Sequence, residues 1–226
     1  MFKNIFKRKQ VINAQPVLDL RDYTPEALNG IKSINAVAVL ILPEYPSPEF
    51  MEMFSKIPLN AVACQFNVAK NRKIVTINGV KNSSDISLPN NCFAIMNGII
   101  ILGNAIKGEN IEYVLNGIVL KKSGIENEAK CVAENGIVYE MDFDENKMKF
   151  FSNEVEVDAD FIRNLEIGTL IAAGNSISIS ADVTEETIIN NDIKFFAGNS
   201  INCSKKIKGC IQARSVVGNK IEVKEK

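Results

Sequence analysis

The chain reads as mainly β, a repeat-built β-solenoid with short helices on some of its coils. Three observations predict that fold class. Asn-Gly recurs every 19 residues, at Asn78-Gly79, Asn97-Gly98, Asn116-Gly117 and Asn135-Gly136, and each pair is followed by Val80, Ile99, Ile118 or Ile137. A fixed period of this size marks one structural unit stacked on copies of itself. Composition agrees: 30 Ile and 26 Asn make up about a quarter of the 226 residues. β-branched Ile suits pleated strands, and Asn tolerates left-handed backbone and forms turns. Finally, Thr24-Pro25-Glu26 and Ser47-Pro48-Glu49 repeat the same helix-start chemistry 23 residues apart: a hydroxyl N-cap, Pro at the first helical position and Glu in the first turn.

Taken in order, residues 1–22 form an amphipathic start and a linker. Phe2, Ile5 and Phe6 fall at i, i+3 and i+4, while Lys3, Lys7, Arg8 and Lys9 occupy the remainder. On a helix this gives one apolar face among cations, the pattern of a segment lying on an anionic membrane surface; a disordered, soluble terminus is the alternative. Residues 10–22 read as linker. Residues 23–72 hold two helix–strand repeats, their helices feeding the apolar strands Ala36–Leu42 and Ala61–Phe66. Residues 73–153 carry the 19-residue period. A second turn signal lies inside each period, at Pro89-Asn90-Asn91, Gly108-Glu109-Asn110, Glu126-Asn127 and Asp144-Glu145-Asn146.

Two architectures satisfy that period. In a solenoid each unit is one coil and equivalent positions stack. In an antiparallel meander each Asn-Gly closes a type I′ hairpin, and Met141–Phe151 has the local look of a hairpin. The constant period favours the solenoid, with Asn78-Gly79, Asn97-Gly98, Asn116-Gly117 and Asn135-Gly136 as its repeat turns. A leucine-rich-repeat-like α/β solenoid is a further alternative, suggested by the helix starts. Residues 154–226 return to the first pattern. Asp158-Ala159-Asp160 and Thr184-Glu185-Glu186 read as degenerate helix starts, turns are inverted to Gly174-Asn175, Gly198-Asn199 and Gly218-Asn219, and a charged tail closes the chain.

The chemistry is sparse. There is no histidine, which removes the commonest general base and metal ligand. No GxGxxG or GxxxxGK[ST] is present, so no phosphate-cradling loop is signalled. Asp142–Asn146 opens like a calcium loop, but Lys147 replaces the required Gly and Asn153 the required Glu. Cys64, Cys92, Cys131, Cys203 and Cys210 lack CxxC spacing and read as reduced thiols of a cytosolic protein. Net charge is -1, with no basic field for nucleic acid. The longest apolar run, Ala36–Leu42, suits a buried strand and is too short to span a bilayer. The expectation is a non-enzyme without cofactor or metal.

The Met-Phe-Lys start, Lys206-Ile207-Lys208-Gly209-Cys210-Ile211-Gln212-Ala213, and Ala173-Gly174-Asn175-Ser176-Ile177-Ser178-Ile179 resemble the bactofilins, bacterial polymer-forming cytoskeletal proteins. The resemblance covers residues 1–9 and 168–223. It implies a β-solenoid core that assembles end to end and a short N-terminal membrane tether. The Thr/Ser-Pro-Glu helix starts depart from that family's pattern. The expected function is a bacterial scaffold or cytoskeleton-like protein that self-associates or binds protein partners, cytoplasmic and peripheral on the inner membrane face. The alternative is a soluble recognition module, monomeric or dimeric.

Overall fold

The computed structural model describes residues 9–126 and 128–224 and divides into two units, one ending at Arg72 and the other beginning at Lys73. The molecule is mainly β. Every strand pairing among the described residues is parallel. That corrects the antiparallel alternative. A meander needs tight reversals between paired strands, whereas here the chain returns to the same end before it pairs with the strand of the preceding layer.

In the first unit, β1 (Gln10–Asp19), β2 (Ile31–Pro43) and β3 (Leu59–Val68) form one sheet in that order. Helix α1 (Pro25–Asn29) precedes β2, and α2 (Pro48–Ser55) precedes β3. Both begin where local chemistry places them. The Thr24 hydroxyl accepts from the Ala27 amide at 3.3 Å and the Ser47 hydroxyl from the Phe50 amide at 3.1 Å. Leu28, Phe50 and Phe54 on the helices bury against Ile12, Ile34, Val37 and Leu40 of the strands. Each such side chain contributes roughly 1.5–3 kcal/mol through the apolar surface it removes from water. The linker reading of residues 10–22 is corrected by β1. Pro16 breaks the strand pattern in the sequence, but β1 pairs only with β2, and a marginal strand accommodates proline.

In the second unit, β4 (Lys73–Asn82), β5 (Cys92–Leu102), β6 (Glu112–Lys122) and β7 (Lys130–Met141) pair in sequence order. A second sheet contains β8 (Met148–Phe151), β10 (Leu170–Ala173), β12 (Lys194–Ala197) and β14 (Ser215–Val217). The third contains β9 (Glu154–Val157), β11 (Ser176–Ile179), β13 (Ser200–Cys203) and β15 (Lys220–Val223). Helices α3 (Ala159–Arg163), α4 (Glu185–Asn190) and α5 (Lys208–Ala213) follow β9, β11 and β13. Ile162, Ile188 and Ile211 from these helices bury with Ile171 and Phe195 of the second sheet and Ile177 and Ile201 of the third. Equivalent residues therefore stack layer upon layer. Met141–Phe151 is not a hairpin: β8 pairs in parallel with β10 and belongs with the C-terminal layers.

Glycine lets the first and second sheets of this unit approach. Ile101 and Leu120 bury with Leu170, Ala172 and Phe196. A Cβ on Gly198 would stand 2.2 Å from Ile99 Cδ1, and one on Gly218 2.7 Å from Ile118 Cδ1. Val80, Ile99 and Ile118, the residues after the first three Asn-Gly pairs, thus meet the glycines of the three Gly-Asn corners.

Candidate functional site

The features that set this surface apart are columns of asparagine. Asn97 Nδ2 donates to Asn78 Oδ1 at 2.8 Å, Asn116 to Asn97 at 2.8 Å and Asn135 to Asn116 at 3.0 Å. Asn97 and Asn116 each donate to the preceding layer and accept from the following one. Parallel in-register stacking makes this possible, because it brings identical side chains opposite one another at the strand spacing of about 4.8 Å.

These Asn-Gly pairs do not lie where the sequence reading placed them. Asn78-Gly79, Asn97-Gly98, Asn116-Gly117 and Asn135-Gly136 are interior to β4–β7, and the repeat-turn assignment is corrected accordingly. The chain bends there, with glycine φ of 90°, 113°, 119° and 143°. A Cβ on Gly98 would stand 2.3 Å from Gly79 O, and one on Gly117 2.2 Å from Gly98 O. Glycine answers two demands at once, a positive φ and the close approach of the layer below. The turns proper are at the second signal: Asn91 and Asn110 each have φ of 54°, and Asn110 Nδ2 donates to Asn91 Oδ1 at 2.6 Å.

Two more columns escaped the sequence reading. In the first unit Asn35 Nδ2 donates to Asn13 Oδ1 at 2.7 Å, and Asn60 to Asn35 at 2.7 Å. The residues that follow are Ala14, Ala36 and Ala61, with φ of 51°, 51° and 56°. Asn-Ala here occupies the place of Asn-Gly, and alignment of strand registers is the signal that finds it. In the C-terminal layers Asn219 donates to Asn199 and Asn199 to Asn175, each at 3.2 Å, and Asn175 to Glu154 Oε1 at 2.9 Å.

The sheets end in strands paired on one side, and their chemistry differs. β7 carries Lys130, Glu134 and Glu140, and β15 carries Lys220 and Glu222. Charges on a marginal strand discourage pairing with other chains. β1 has Pro16, which lacks an amide donor. β3 follows β2 in its sheet, and its ten residues Leu59–Val68 include neither charge nor proline.

A further group of polar side chains holds local structure. Glu145 accepts from the Ser83 hydroxyl at 2.5 Å and from the Asn104 side-chain amide, and Ser83 Oγ in turn accepts from the Gly103 amide at 3.0 Å. This network sits beside a cleft of about 680 Å³ lined by Ser83, Ile86, Leu88, Asn104 and Ile106. Asp144 accepts from the Asn146 amide at 3.0 Å, so the calcium-loop look of that segment is a capped turn. Burial, then the Glu134 carboxylate, pushes the Cys131 thiol up, and burial pushes the Tyr113 phenol up beside it. Burial raises Cys203 and Cys210 likewise. A thiol held protonated is a poor nucleophile. Among the described residues no three Cys, Asp or Glu side chains converge to hold a metal, and no helix is long and apolar enough to cross a membrane.

Of the proposed membrane-surface residues, Phe2, Lys3, Ile5, Phe6, Lys7 and Arg8 lie outside the described residues. Lys9 is exposed, and its ammonium donates to Asn29 Oδ1 at 3.5 Å. No family model, curated protein or solved structure matches this chain.

Proposed function

We propose that the parallel layers are coils of a β-solenoid and that the protein is a non-enzymatic scaffold, which self-associates or docks partner proteins. The observation carrying this reading is the parallel, in-register layering of β4–β7, which sets Asn78, Asn97, Asn116 and Asn135 in one hydrogen-bonded column and repeats one surface position from layer to layer. Stacked repeats of this kind present extended surfaces to partners.

Sedimentation velocity of the full chain over a hundredfold concentration range, with negative-stain imaging of the same samples, tests the self-associating form. The expected result is a weight-average mass that rises with concentration. A single monomeric species at every concentration removes self-association and leaves the recognition module.

A further inference from the structure

A cavity of about 570 Å³ in the C-terminal layers has no part in the scaffold reading. Its walls come from one repeated position. Ser180, Ser204 and Lys224 each follow the last residue of a strand in successive layers. The Ser180 amide donates to Val157 O at 2.8 Å and the Lys224 amide to Cys203 O at 3.0 Å, which fixes that register. The β11–β13 pairing sets Ser178 against Asn202, so Ser180 and Ser204 hold equivalent places in successive layers, and both line the cavity. Neither hydroxyl has a side-chain hydrogen bond among the described residues, and Ser204 leaves the turn it precedes uncapped.

The charge is equally local. Lys205 and Lys206 line the same cavity, exposed and without an ion-pair partner among the described residues. Lys224 reaches back so that its ammonium lies 3.4 Å from Ser178 Oγ. Three ammonium groups thus face one carboxylate, Glu156, in a chain whose net charge is -1. Lysine ammoniums bind phosphate as point charges with rotatable donors. The carboxylate has the opposite use, since it accepts hydrogen bonds from hydroxyl groups. Buried Ile179, with Ala181, adds an apolar wall. The volume falls in the range of about 300–1,000 Å³ that small-molecule sites occupy.

We propose that this cavity binds a small phosphorylated polyol. Ser180, Ser204, Lys205 and Lys206 hold the phosphate, and Glu156 accepts from the polyol hydroxyls. The test is calorimetric titration of the full chain with glucose 6-phosphate, glucose and inorganic phosphate as probes. Expected are saturable binding of glucose 6-phosphate, weaker binding of inorganic phosphate and none of glucose. The double variant Lys205→Gln, Lys206→Gln should lose at least tenfold in glucose 6-phosphate affinity, whereas Lys149→Gln, an exposed lysine elsewhere in the unit, should leave it unchanged. Glu156→Gln should weaken glucose 6-phosphate several-fold and leave inorganic phosphate unchanged. Unfolding curves matching the parent protein confirm that the variants are folded. Absence of saturable glucose 6-phosphate binding, or equal losses in the Lys149 and Lys205/Lys206 variants, overturns the proposal.

Discussion

The two units bend their strands in the same manner with different residues. In the first, a stacked asparagine is followed by alanine at φ of 51–56°; in the second, by glycine at 90–143°. The former values lie in the left-handed region that an L-residue enters at a cost of roughly 1–2 kcal/mol. The latter lie beyond it, where a Cβ is disfavoured whatever surrounds it. The layers beneath differ as well. In the second unit the carbonyl of one glycine occupies the space a Cβ on the next would need. The common element is the asparagine column, and the residue after it is chosen by how sharply the strand turns and how closely the next layer lies.

Substitution can break or sharpen this contrast. The largest effect is expected at Gly117→Val, which adds overpacking to a forbidden φ, each worth roughly 1–3 kcal/mol. A loss of about 4 kcal/mol in urea unfolding is expected from these two terms together. Next comes Asn116→Ala, which removes one bond donated to Asn97 and one accepted from Asn135. At a net worth of about 1 kcal/mol per bond, a loss of about 2 kcal/mol is expected. The same assay measures it, and Asn78→Ala, at the end of the column, should cost about half as much. The smallest effect carries the opposite sign. Ala36→Gly relieves left-handed strain of roughly 1–2 kcal/mol and adds backbone entropy of roughly 0.5–1 kcal/mol to the unfolded chain. It should raise the thermal midpoint or leave it unchanged; a clear fall would mean that the first unit does not rely on a tolerated left-handed alanine.

Legibility in the sequence followed the range of the forces involved. Helix starts at Thr24 and Ser47 depend on bonds within three residues, so they were legible, as were the weaker ones at Asp158 and Thr184. The 19-residue period was legible as stacking, but the Asn-Gly pairs were misplaced as turns. Within one strand their signature is only a positive φ, which hairpin turns share; the carbonyl of the neighbouring layer is what makes the position interior. Asn13-Ala14, Asn35-Ala36 and Asn60-Ala61 gave no signal, because alanine announces no special backbone. β1 went unread because the strand that orders it, β2, lies outside residues 10–22. Ser180 and Ser204 are 24 residues apart, the step that also separates Gly174 from Gly198. That shared step was the available sign that both hydroxyls line one cavity.

The central claim is that the Asn-Gly pairs are interior contacts between layers, and the comparison of Gly98→Ala with Gly79→Ala tests it most directly. Both positions have positive φ, but a Cβ on Gly79 meets nothing within 4 Å, while one on Gly98 meets Gly79 O at 2.3 Å. Equilibrium urea unfolding of the two variants separates backbone strain from contact between layers. The account predicts that Gly98→Ala loses at least about 2 kcal/mol more than Gly79→Ala, the overpacking cost of a side chain with no space. Equal losses would contradict it and return these pairs to the role of turns.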